Sequence, residues 1–178
     1  MHPFIPVLAL ATGTLVLGEA MARRRWRVRL QRQYERVAGV LALDDYPPLV
    51  LVSHLGNAQY VVLTEEGADF HRVEVDAGWL YQVVRRMDVD DQLAVITYVL
   101  AHELAHVDHR GGSHLTWWQR QEQERQADRV GGDAVERLGL PLEPARWFAS
   151  TIGSCPTCTH ADGNTRYCDV THGYHRGA

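Results

Sequence analysis

Two histidines four residues apart, with a glutamate beside the first, form the stretch of this chain best equipped for chemistry: His102-Glu103-Leu104-Ala105-His106. The stretch lies inside the apolar run Leu93 to Val107, which reads as a buried helix. Positions i and i+4 of a helix share a face, so both imidazoles point the same way and can hold one zinc ion. Glu103 is then set to reach a zinc-held water as general base. The bland alternative is a helix with two ordinary histidines, one capped and one at the surface. The residues that follow argue against it.

A catalytic zinc takes three protein ligands and leaves one position for water. A third histidine six residues past the second is excluded, because that position is Gly112. His109 shares the helix face only loosely, and His114 follows a glycine pair and could fold back. The strongest candidate is Glu124, which opens Glu124-Arg125-Gln126-Ala127-Asp128 on a further helical stretch. Glu124 and Asp128 are again i and i+4, and Ala127 between them is small enough to let the two helices approach closely. Glu124 would ligate the metal. Asp128 would accept the free ring N–H of a ligand histidine, His102 by preference, and fix its tautomer. Taken alone, a Glu and an Asp at helical spacing are an ordinary solvated face; the upstream histidines make them candidates.

The pairing of HELAH with a later E-x-x-A-D resembles the gluzincin metallopeptidases that include the HtpX heat-shock protease and the CaaX prenyl-protein protease. The similarity covers roughly Leu30 to Arg166. The family's Asn-Ala pair before the zinc helix has a counterpart in Asn57-Ala58, and its Thr-His with an Arg six residues on has one in Thr159-His160 and Arg166. Ala161 replaces the family's proline, and the multiple membrane helices of the large members are missing, so the chain resembles a minimal catalytic core. The resemblance implies zinc-dependent hydrolysis of peptide bonds. It nominates His160 or Arg166 to stabilise the oxyanion, and the Asn57 strand as the edge against which an extended peptide pairs.

Several elements must position these groups. Leu30 to Leu43 has helical spacing and is broken by Asp44, Asp45, Pro47 and Pro48. Leu49 to Val52 and Tyr60 to Leu63 read as strands, the second followed by a Glu65-Glu66-Gly67 turn, and Val73 and Val75 mark a third. Trp79 to Met87 reads as a short helix, and Asp88 to Asp91 as the cap of the zinc helix, Asp90 to His109. Trp117 to Leu138 and Glu143 to Ser150 follow as helices. The tail from Gly153 reads as irregular. The expected fold is α+β and zincin-like: a small mixed sheet packed against a helix carrying HExxH and a second helix carrying ExxAD. Three regions result: residues 1–29, an apolar segment and arginine cluster; residues 30–152, the peptidase core; and residues 153–178, a Cys/His-rich tail.

The apolar fraction, 46%, is that of a globular protein, and the net charge of −4 gives no reason to expect nucleic acid. The basic charge is uneven. Arg23, Arg24, Arg25, Arg27, Arg29 and Arg32 follow the apolar stretch Phe4 to Gly18, which falls short of the roughly 20 residues of a comfortable membrane span. The charge order favours a single anchor with the arginines, and the domain after them, in the cytoplasm. A signal peptide cut near Ala20-Met21-Ala22, giving a secreted protein, and a helix packed on a soluble cytoplasmic domain are the alternatives.

In the tail, Cys155, Cys158, Cys168 and His172 have the spacing of a structural zinc site. A disulfide, in an exported protein, or three free thiols are the competing readings. The leading function is a zinc endopeptidase acting on peptides or proteins. The runner-up is a DNA-associated metalloprotease of the SprT type, which uses a third histidine that only His114 could supply. A non-catalytic zinc-binding interaction module is a third reading, and it leaves Glu103 without a purpose.

Overall fold

The computed structural model describes residues 6–65, 67–109, 115–152 and 162–175, and shows an α+β fold. Helix α1 (Pro6–Val40) leads to strand β1 (Leu49–Val52), the β-hairpin β2 (Ala58–Glu65) and β3 (Ala68–Asp76), and helix α2 (Ala77–Val84). Then come α3 (Val89–Ala105), a 3-10 turn (His106–His109), α4 (Trp117–Arg137), α5 (Leu142–Ile152) and α6 (Gly163–Tyr174). The sheet is mixed, in the order β1-β3-β2: β1 runs parallel to β3 with Leu49 opposite Val73, and β2 antiparallel with Ala58 opposite Val75. Among the described residues, β1 and β2 are therefore the edge strands.

Helix α3 is the centre. Every residue from Ala94 to His102 is buried, which is why this segment reads as an unbroken apolar run rather than a stripe. Around it pack α1, α2, α4, α5 and β2. Asp88 caps it by accepting from the Asp91 amide, and Asp90 and Asp91 add negative charge at its positive end. The α-helix ends at Ala105 and tightens into the 3-10 turn, four residues before the expected end at His109.

Asp76 closes β3 and opens α2. Its carboxylate accepts from the Gly78 and Trp79 amides at the helix start and from the Gly56 amide across the chain, while its own amide donates to the Asn57 carbonyl. One side chain thus fixes both the helix and the entry to β2. The Trp79 amide, then the Gly56 amide, hold its carboxyl below the usual range.

Two sequence expectations are corrected. The helix expected from Leu30 is part of one continuous helix from Pro6, which ends one turn early because Ala42 adopts a left-handed φ of 54° and closes the C-terminus. The tail is not irregular throughout, because residues 163–174 form α6. Asp162 caps α6 by accepting from the Asn164 and Thr165 amides. The sequence hid this helix because only Val170 gives it an apolar residue in its buried face, the rest being Arg166, Asp169 and Gly173. Its partner is α4, met at backbone distance. A Cβ on Gly132 would lie 2.0 Å from the Val170 carbonyl oxygen, and one on Gly173 only 1.8 Å from that of Arg129. Glycine is required at both positions. Among the described residues, no helix is long and apolar enough to cross a membrane.

Candidate metal centre

His102 occupies the last turn of α3 and His106 its C-cap, so the i and i+4 relation survives the change of helix type. Their rings stand nearly perpendicular, 5.1 Å between centroids. Helix α4 begins with a capping box, Thr116 with Gln119, and runs past α3 with Ala127 fully buried between them. This brings Glu124 across from the histidines: its Oε2 is 3.2 Å from His102 Nε2 and its Oε1 3.9 Å from His106 Nε2. One donor atom from each of the three residues lies within 4.8 Å of the others. Two imidazole nitrogens and one carboxylate oxygen at this spacing fit a single divalent cation. This is the donor set of an open three-ligand site. Glu103 is half-buried beside His102.

Behind the ligands lies a buried polar network. Asp128 Oδ1 is 3.0 Å from His102 Nδ1, which leaves Nε2 facing Glu124. Arg166, from α6, donates through Nε to Asp128 Oδ2 at 2.9 Å and through Nη2 to Oδ1 at 2.8 Å. Tyr98, one turn before His102, donates to Asp128 Oδ1 at 2.5 Å and accepts from Arg166 Nη2 at 2.8 Å. The Tyr98 ring fits because a Cβ on Gly131 would sit 2.5 Å from its Cδ2. Burial would raise the Asp128 pKa, but the hydrogen bonds of Arg166 and then His102 outweigh it and hold the carboxyl well below its ordinary range. Burial, then the Asp128 charge, push the Tyr98 hydroxyl well above its own, so it remains a donor. For His102, burial opposes the positive charge, yet the Asp128 and Glu124 carboxylates lift its pKa to about 10.

The structure thus brings His102, His106, Glu124 and Asp128 together. Comparison with known proteins is silent. No family model, curated protein or solved structure matches the chain.

Arg166 sits elsewhere than its expected role requires. It is 6% exposed, and its hydrogen bonds go to Asp128 and Tyr98, so it positions Asp128 rather than facing a substrate. His114 and His160 lie outside the described residues, as does the side chain of His109. So do Cys155 and Cys158, half of the expected structural zinc site. The other half, Cys168 and His172, are exposed residues at i and i+4 of α6. Tyr98 was not anticipated from sequence. Its i−4 relation to His102 was the one available signal, and a tyrosine in an apolar run reads first as core.

Proposed function

We propose that the chain is a zinc-dependent endopeptidase with a zincin-like core, whose ligands are His102, His106 and Glu124. The observation that carries this reading is the convergence of those three donors, with Glu103 next to His102 on the same helix. Zinc bound there would supply a Lewis acid that polarises a carbonyl and acidifies water. Glu103 takes a proton from the attacking water and passes it to the departing amine. Asp128 keeps the His102 ring oriented, with Nε2 towards the site. The edge of β2 takes an extended peptide or protein segment by main-chain hydrogen bonding, and the Asp76 bonds at Gly56 and Asn57 hold the entry to that strand in place. In the same reading the N-terminal segment and its arginines associate the chain with a membrane, with the core on the cytoplasmic side.

The test is metal content and peptide cleavage of the purified chain, with and without chelator. Glu103→Gln should keep the metal and lose about 10²–10⁴-fold in turnover. Glu124→Ala should lose the metal as well. Wild-type zinc affinity in Glu124→Ala would remove Glu124 from the ligand set and promote His114. Substantial turnover in Glu103→Gln would remove the general base.

A further inference from the structure

The outer face of α1 is a basic groove that the metal site does not use. Its volume is about 640 Å³, and Arg24, Arg25, Arg29, Arg32 and Arg36 line it with no carboxylate among them. Arg25, Arg29, Arg32 and Arg36 follow one another at i, i+4, i+7 and i+11, a single face directly opposite the buried Leu30, Tyr34, Val37 and Ala38. Two apolar side chains lie between the arginines on the same side: Met21 is 55% exposed and Val28 43%. Arg29 is held to α3 through Gln92 and the Val89 carbonyl, but Arg24, Arg25 and Arg32 have no hydrogen bond or ion pair with any described residue. Residues 20–40 contain seven arginines and one acid, Glu35, in a chain whose net charge is −4.

Such segregation is costly without a partner, because like charges three and four residues apart on a helix repel. A stripe of cations with apolar side chains between them matches a layer of phosphate groups over acyl chains. A nucleic-acid duplex offers the phosphates without an apolar layer for Met21 and Val28. The stripe from Met21 to Arg36 is roughly 22 Å long at 1.5 Å per residue, so only a helix lying flat can bring both ends to one surface.

We propose that this face of α1 docks in the plane of an anionic phospholipid membrane, the arginines at the headgroups and Met21 and Val28 beneath them. The proposal is independent of the peptidase reading, since the groove borders the N-terminal end of α3 and the metal centre lies at the other end. It also differs from an upright anchor. In an upright helix Arg32 would stand about 21 Å of helix beyond Gly18, some two Debye lengths at ordinary salt.

The experiment is co-sedimentation of the full chain with vesicles of neutral phosphatidylcholine, and of the same lipid mixed with phosphatidylglycerol, over a range of salt. An arginine at an anionic surface is worth about fivefold in partition. The wild type should prefer the anionic vesicles, with the preference falling as salt rises. Arg24→Gln/Arg25→Gln and Arg32→Gln/Arg36→Gln should each weaken anionic binding about 30-fold on the same scale, leaving binding to neutral vesicles unchanged. The matching lysine pairs should restore it, which separates charge from any effect on folding. Equal binding to both vesicle types overturns the proposal. So does an effect confined to the Arg24/Arg25 pair, which would describe an upright anchor. Release from anionic vesicles by an equal phosphate concentration of duplex DNA would assign the face to nucleic acid and overturn it as well.

Discussion

Asp128 on α4 and Asp169 on α6 are both buried carboxylates gripped by arginines across the same helix pair. Asp128 takes Arg166 from α6, and Asp169 takes Arg125 and Arg129 from α4. The exchange is reciprocal, and the glycine contacts at Gly132 and Gly173 bring the helices close enough for it. The two sites differ in where their cations sit. The Arg166 side chain is 7% exposed, while those of Arg125 and Arg129 are 38% and 28% exposed. The first pair is sealed and also holds His102 and Tyr98; the second opens to water. The same chemistry thus serves two ends. One carboxylate fixes a ligand histidine, and the other fastens the helix that delivers Arg166.

The comparison is broken most directly by Arg166→Leu. It strands a buried carboxylate and should cost about 3–5 kcal/mol in urea unfolding. The pH dependence follows from the lowered Asp128 pKa. A depressed native pKa contributes stability that is fully present above the unfolded value, near 4 for an aspartate, and is lost as pH falls through the native value. The stability gap between wild type and Arg166→Leu should therefore be widest above about pH 4 and close on acidification. A gap that stays constant through acidification would mean that Arg166 acts through packing alone.

Asp169→Asn should cost less, about 1–2 kcal/mol, because Arg125 and Arg129 can turn to solvent when their partner is neutralised. The loss should shrink in high salt, whereas that of Arg166→Leu should not. Equal losses in the two variants would erase the distinction between a sealed and an open pair.

The finest test is Tyr98→Phe. It removes one donor from Asp128 and leaves Arg166 in place, so about 1 kcal/mol of stability is at stake. Zinc affinity, read by chelator competition, should fall by no more than about tenfold, the lower end for partners behind a ligand. An unchanged affinity would show that Arg166 alone sets the Asp128 carboxylate.

The sequence by itself determined the central helix, the three strands and the shared face of His102 and His106, and its second helical pair nominated Glu124. Those features are written in periodicity and spacing, which a helix converts directly into a shared face. The all-round burial of Ala94 to His102 was likewise legible as an unbroken apolar run. Only the tertiary structure decided that residues 163–174 form a helix, that Arg166 grips Asp128, and that Tyr98 joins them. Helix α6 is held by backbone-to-backbone approach at Gly132 and Gly173 and by charges exchanged with α4, and neither leaves an apolar period to read. A glycine in a sequence marks freedom or closeness alike; which one it means is settled only when the second chain segment arrives beside it.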